Sequence, residues 1–243
     1  MTRKREDGRS ARPLYVQAYD RLKAEIQDGV WRPGEMLPNE FELGAMYGVS
    51  QGTMRKALAA LAEDHVLERR QGLGTFVSAP SSADVLFRFF QFREPSGQRV
   101  VPESRTLKTT RGKANAAERA RLALRDGARV IRHARVRSNA GRPFIHETVV
   151  LPEVLFPGLG EDGGLPNTLY DLFQREYRVT VARASEKLST VAAAGRTAAL
   201  LDIAPGTPLL RIDRQTLSLD NRIVEWRLSL CHLGGLHYEV EIG

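Results

Sequence analysis

Apolar residues recur at three and four positions from residue 13 onward: Tyr15, Tyr19, Leu22 and Ile26 share one helical face, read as a core stripe, and Gly29 with Pro33-Gly34 ends that helix. A second short helix opens at Asn39, with Glu42 at the reciprocal capping-box position, and runs through Leu43 and Met46 to Gly48. Ser50 is the next N-cap. Met54, Ala57, Leu58 and Leu61 form the apolar face of a third helix ending near Asp64. Beyond it, VLERR and GTFVS flank QGLG, two short strands around a glycine-containing turn. Three helices and a hairpin predict a winged helix-turn-helix over 13–78, the third helix polar at its first turn and shaped to enter a DNA major groove.

The pattern changes after residue 78. APSSAD, 79–84, is small, polar and turn-prone and reads as a linker. Strand-like runs follow at 85–92, 100–109, 129–138, 143–151, 179–190, 207–217, 222–231 and 236–242, with helical patterns near 114–124, 167–176 and 191–200. SNAGRP and LDNR, each between two such runs, are hairpin connections. They favour antiparallel pairing over repeated βαβ units, so 85–243 is expected to be an α+β domain.

Ahead of the first helix, residues 1–12 hold Arg3, Lys4, Arg5, Arg9 and Arg12 and too few apolar groups to pack. They read as a mobile basic arm, either touching phosphates or simply solvated. The whole chain has 243 residues and a formal charge of +7. The excess is not in the helix-turn-helix: 1–80 holds 12 basic against 11 acidic residues, leaving 24 against 18 for the remainder. Net charge therefore favours an anionic partner for the second domain more than it argues for nucleic acid at the first. The single cysteine, Cys231, permits no disulfide within the chain and no cysteine metal cluster, and a reducing, cytoplasmic setting is expected. No apolar h-region follows the basic start, and no run approaches the ~18 apolar residues of a membrane span.

Residues 13–77 resemble the DNA-binding domain of the GntR family of bacterial transcription regulators. The resemblance is carried by PLY, the Gly and Pro-Gly after the first helix, LP-x-E, VS-x-x-T-x-R-x-AL and G-x-GTFV, in order. The rest is similar to the UTRA ligand-sensing domain of the HutC subfamily, through RFFQF, RVRSNAGRPFIHETVVLP, TLYDLF and IVEWRLSLCH. The resemblance implies a homodimer on a palindromic operator, an effector that alters operator affinity, and a second domain like chorismate lyase in fold without being an enzyme.

On the expected recognition helix, Arg55 matches the family's DNA-contacting arginine and suits guanine or a phosphate, its bland alternative being a surface salt bridge. Thr53 would reach a phosphate, while Ser50 caps first and contacts backbone second. Two cationic positions of the family are replaced here, by Gln51 and Phe41. Gln51 suits adenine, and Gly52 lets the backbones approach closely. Gln71 and Gly72 of the wing either enter the minor groove, lie along phosphates, or only shape the turn. In the second domain, Arg135 and Arg137 lie two apart on one strand and so share a face. They match the R-x-R pair with which UTRA domains hold acidic effector groups, and an anionic metabolite such as a sugar phosphate or a carboxylate suits them; Glu147, Thr168 and Tyr170 match further effector contacts, Tyr170 being as much a candidate for the core. Phe87, Phe89, Phe90 and Phe92 are expected in core or dimer packing. Glu225 with Trp226 matches a family segment, but LGGLHY replaces the usual charged pair near the last strand.

Enzymatic motifs are absent. There is no G-x-x-x-x-G-K and no H-E-x-x-H, and the five histidines lack metal-ligand spacing, so neither cofactor nor metal is expected. His146 and Glu147 are adjacent on a strand and would face opposite ways, which disfavours an acid/base pair. The competing non-enzymatic reading is an architectural DNA-binding dimer without an effector.

Overall fold

The computed structural model describes residues 12–78, 86, 88–161 and 165–241. The arm up to residue 11, the 79–84 segment and Phe87 lie outside the described residues. The chain divides into two compact units, 1–79 and 80–243.

In the first unit, α1 (Leu14–Gln27) follows Pro13, whose fixed φ suits a helix start. It buries Ala18 and Leu22, whereas Tyr15 of the expected stripe is exposed. The buried line runs through Ala18 and Leu22 one turn apart, leaving Tyr15 at its edge, and Tyr19 is half-buried with its hydroxyl on Asp64. The helix α2 (Glu40–Tyr47) carries the full capping box: Asn39 Oδ1 accepts from Phe41 and Glu42 N–H at 3.0 Å, and Glu42 accepts from the Asn39 N–H at 3.2 Å. Gly48 ends it at φ 68°. Gly44 lets the next helix turn back tightly, since a Cβ there would stand 2.9 Å from the Val49 carbonyl oxygen. The helix α3 (Gln51–Glu63), capped by Ser50, then buries Met54, Ala57, Leu58 and Leu61 as its apolar spacing predicts. An antiparallel hairpin, β1 (Leu67–Arg70) and β2 (Gly74–Val77), completes the winged helix-turn-helix, with Met36 bridged to Phe76.

The second unit is α+β. Its six-stranded antiparallel sheet holds β4 (Glu103–Lys113), β5 (Arg129–Asn139), β6 (Arg142–Pro152), β7 (Val181–Ala192), β8 (Pro208–Ser218) and β9 (Ile223–Cys231), in the spatial order β4-β5-β6-β9-β8-β7. That order reads the same inward from both edges. Each half is a strand, a short helix and a hairpin: α4 (Ala116–Leu122) precedes β5 and β6, and α6 (Gly195–Leu201) precedes β8 and β9. The halves meet where β6 pairs β9, and Arg135 and Arg214 fall at the same step of equivalent strands.

The helices α4 and α6 seal one face, through Leu122, Val130 and Val150 in one cluster and Ala198, Leu201 and Leu209 in another. On the other face, α5 (Leu169–Tyr177) packs Tyr170 and Phe173 on Ile131, Val149 and Leu151. Phe90, Phe92 and Phe144 form a separate cluster with Ile145, Ile212 and Cys231. The strand expected at 85–92 is not formed: residues 86, 88 and 89 are helical, and only β3 (Phe92–Arg93) is extended. This segment places aromatic rings on the sheet instead of pairing along it. β3 pairs with β10 (His237–Tyr238), which among the described residues is likewise all that is extended of the expected 236–242 strand.

Candidate functional site

On α3, the Ser50 hydroxyl accepts from the Thr53 N–H at 3.2 Å and lies 2.8 Å from the Thr53 Oγ1, so both side chains serve the cap. Gln51 and Gly52 are exposed beside them. Outside the backbone of its own helix, no atom of the described residues lies within 4 Å of where a Gly52 Cβ would stand, so that backbone is open to close approach. Arg55 donates its Nε to Glu40 at 2.7 Å while its side chain stays 59% exposed, and Arg69 of the wing approaches the same carboxylate at 3.9 Å. The surface salt bridge is therefore present, on a guanidinium still reachable from outside. Gln71 and Gly72 form the wing turn, both exposed, with Gly72 at φ 74° meeting the turn's need for a left-handed residue. Phe41 lies exposed on the first turn of α2.

The second unit buries charge in the middle of its sheet. Arg135 and Arg137 are each 1% exposed and Glu147 is 2% exposed, on facing strands. Arg135 Nε donates to Glu147 Oε1 at 2.5 Å, and the Ser229 hydroxyl donates to Glu147 Oε2 at 2.9 Å. Burial works to raise the Glu147 pKa, yet the fields of Arg135, Arg227 and Arg137 hold it well below the ordinary carboxylate range. Across β9 and β8 the belt continues. Arg227 donates to both oxygens of Glu225, at 3.1 and 2.8 Å, and Tyr170 donates to Glu225 at 2.8 Å. Arg214 Nε donates to Glu186 at 2.5 Å, and its NH2 group donates to the Phe89 carbonyl. Burial and the negative field of Glu225 push the Tyr170 phenol up, so it stays a neutral donor.

Arg135, Arg137, Tyr170, Arg214 and Arg227 line a cavity of about 30 Å³, together with Phe89, Phe90 and residues 167–169, Thr168 among them. That is room for water, not for a metabolite, so a ligand requires the walls to part. Tyr170 serves both of its candidate roles: its ring packs edge-on to Phe89, centroids 5.0 Å apart, and its hydroxyl joins the ion network. His146 faces away from Glu147 and bonds Thr197 of α6 at 2.9 Å, as strand alternation requires. Among the described residues no group of His, Cys, Asp or Glu is arranged to hold a metal.

Arg214, Arg227 and Asn167, which line the pocket, and Glu186, which pairs with Arg214, are residues that sequence reasoning did not single out, and the aromatic patch reaches the pocket as well as the core. A signal existed for one of them, Arg227: Glu225, Arg227 and Ser229 alternate with Trp226, Leu228 and Leu230 in IVEWRLSLC, a strand with both faces buried or half-buried. Charge at every second step of such a strand marks a polar seam.

A capped helix-turn-helix with its wing, carried on the same chain as a domain with an ionised pocket, defines a DNA-binding regulator of transcription with a ligand-sensing domain. Residues 14–77 match the family described as bacterial regulatory proteins, gntR family, and residues 97–233 match the UTRA domain. The HTH-type transcriptional repressor NagR of Bacillus subtilis is 31% identical over 84% of this chain and 84% of its own. The histidine utilization repressor of Pseudomonas putida is 29% identical over 95% of this chain and 92% of its own. Among solved structures, the ligand-binding domain assigned to a GntR-family regulator of Bordetella bronchiseptica superposes with a TM-score of 0.60 at 33% identity, covering 64% of this chain and 98% of that one. The chain belongs to the GntR family, as a HutC-type regulator with a UTRA domain.

Proposed function

We propose that this regulator is a repressor that binds a palindromic operator as a homodimer in the cytoplasm, and that a small anionic metabolite held at Arg135, Arg137, Glu147, Thr168 and Tyr170 modulates its grip on DNA. The observation that carries the reading is the buried Arg135–Glu147–Arg137 group, whose two arginines line the cavity. Burying ions costs several kcal/mol each unless partners compensate, and hydrophobic replacements would pack the sheet as well or better. A ligand-recognition role supplies a reason to keep them.

Two relatives support the repressor reading, since both carry that word in their names. On the DNA side, Arg55, Gln51, Gly52 and Thr53 would meet the major groove, Ser50 the backbone, and Gln71 and Gly72 the flanking groove. A ligand changes operator affinity only by preferring one arrangement of the two DNA-binding heads, so binding and release must be measured together. Operator footprinting with and without anionic metabolites, beside thermal shift with the same compounds, tests the proposal. Two protected half-sites and a ligand-dependent footprint are expected. One unrepeated half-site would remove the dimer, and a footprint indifferent to every stabilising ligand would leave an architectural protein in place of a sensor.

A further inference from the structure

The four guanidiniums of the pocket are not equally satisfied. Arg135 has Glu147 at 2.5 Å, Arg214 has Glu186 at 2.5 Å, and Arg227 has both oxygens of Glu225. Arg137 reaches Glu147 only at 4.0 Å, outside hydrogen-bond range. Its Nε is buried without a hydrogen-bond partner among the described residues, and its guanidinium lies 4.4 Å over the Phe90 ring. Its NH2 group donates instead to a neutral acceptor, the Asn167 amide oxygen, at 2.8 Å.

Two-fold repetition of the sheet explains the imbalance. Arg135 faces Glu147 across one hairpin, and at the equivalent place in the other half Arg214 faces Arg227. Glu225 and Glu186 compensate that second arginine pair, so four cations meet three carboxylates and one positive charge is left over. Asn167 stands where the missing anion would stand. Its side-chain NH2 group is tied to the Pro102 carbonyl at 2.6 Å, and its backbone carbonyl accepts from Arg135 at 3.3 Å, so it latches the turn before α5 over the pocket.

We infer that the pocket selects a monoanion, with a carboxylate as the fitting group, which takes Arg137 by displacing the Asn167 side chain. The inference rests on the effector-site reading above and adds a charge rule to it. One negative charge balances the cluster; a second would be buried without a countercharge, a costly arrangement in a water-poor site. A carboxylate presents two oxygens to the Nε and NH2 edge of a guanidinium, the edge Arg137 leaves half used. Displacing Asn167 also unlatches the turn at 167–168, which is how a pocket too small for a metabolite gains room.

Calorimetry and thermal shift on the full chain test this with matched probes: acetate against inorganic phosphate, benzoate against phenyl phosphate, and glucuronate against glucose 6-phosphate. At about pH 7.5, where phosphate monoesters are mainly dianionic, the carboxylate should bind at least about tenfold more tightly in any pair that binds. Lowering the pH to about 5.5, which protonates the monoester once, should narrow that gap from the phosphate side. Asn167→Asp supplies an internal anion to Arg137 and should weaken carboxylate binding by about tenfold or more, whereas Asn167→Ala, which removes the competitor, should not weaken it. The wild-type ranking holds the inference to account even if a variant fails to fold. Phosphate probes that bind as tightly as carboxylates at pH 7.5, with loss in Arg137→Ala, would overturn the charge rule and leave the anion site standing. Binding by no probe, or binding indifferent to Arg137→Ala and Asn167→Asp alike, would overturn the site reading and this inference together.

Discussion

Arg55 on α3 is bonded to Glu40 on α2, Nε to Oε2 at 2.7 Å, so a carboxylate on one helix of the motif orients a cation on the next. Exposed pairs of this kind contribute at most about 1 kcal/mol to stability. Arg55→Ala should therefore leave the fold intact while weakening specific operator binding by about 1–3 kcal/mol, the worth of one good base contact. Gel shift at fixed salt, with circular dichroism as the fold control, measures both. Unchanged affinity in the folded variant would take Arg55 out of recognition.

Gln51 occupies the first, exposed position of α3. A glutamine there pairs best with adenine, and an arginine would favour guanine. Gln51→Arg should change the preferred base at one symmetric position per half-site in a selection from randomised operators. If the new cation meets a phosphate instead, the same variant should show a steeper salt dependence and no change of base.

Within the ion belt, stability should track compensation. Glu147→Ala strands Arg135 and deprives Arg137 and Arg227 of a neighbouring charge, and should cost about 3–5 kcal/mol, the usual loss when one partner of a buried pair is removed. Arg137→Ala leaves no carboxylate without its closest partner and should cost less. Urea midpoints for the two variants give the order, and the reverse order would contradict the pairing described.

His133 is fully buried beside the same belt, its Nδ1 2.9 Å from the Thr109 hydroxyl. Burial first, then the charge of Arg135, pushes its pKa down to about 4. From about pH 6.5 down to 4 the unfolded chain binds a proton that the native state refuses, so stability falls as pH drops, by on the order of 3 kcal/mol at most. His133→Gln keeps a partner for Thr109 and cannot titrate. It should flatten the pH dependence of the urea midpoint in that window, and an unchanged slope would mean that other groups set it.

Much of this architecture is legible in the residues. The cap at Asn39, the left-handed Gly48 and the Ser50 cap are local devices whose chemistry lies within a few positions, and the structure forms each of them. Runs of β-branched and apolar residues bounded by Gly, Pro, Asn and Asp located β5, β6, β8 and β9 to within a residue or two, because each lies in a sheet covered by apolar clusters on both faces. The 85–92 segment misled because its phenylalanines suit a strand as well as a short helix, and what decides is tertiary: Arg214 takes the Phe89 carbonyl from far along the chain. In the pocket, Arg135 and Arg137 show as a spaced pair, but Arg214 and Arg227 do not. Their membership depends on the β6–β9 junction, a pairing between strands about eighty residues apart in sequence that no local pattern encodes. Asn167 was hidden for the same reason, its partners Pro102 and Arg137 belonging to other elements.

The inward residues of β6 read Ile145, Glu147, Val149 and Leu151, so the ion belt runs between two apolar clusters and parts them. Adhesion of the fold comes from the clusters on either side and from the helices on the far face, while the strip between them is held by complementary charges. Such a strip can be rewritten for a different small molecule without rebuilding the sheet, provided that substitutions come in compensating pairs across neighbouring strands. A lone change of sign would be purged as a folding defect before its effect on recognition could be selected, so diversification of this pocket among relatives should proceed by coupled exchanges between facing positions such as 135 with 147 and 214 with 227.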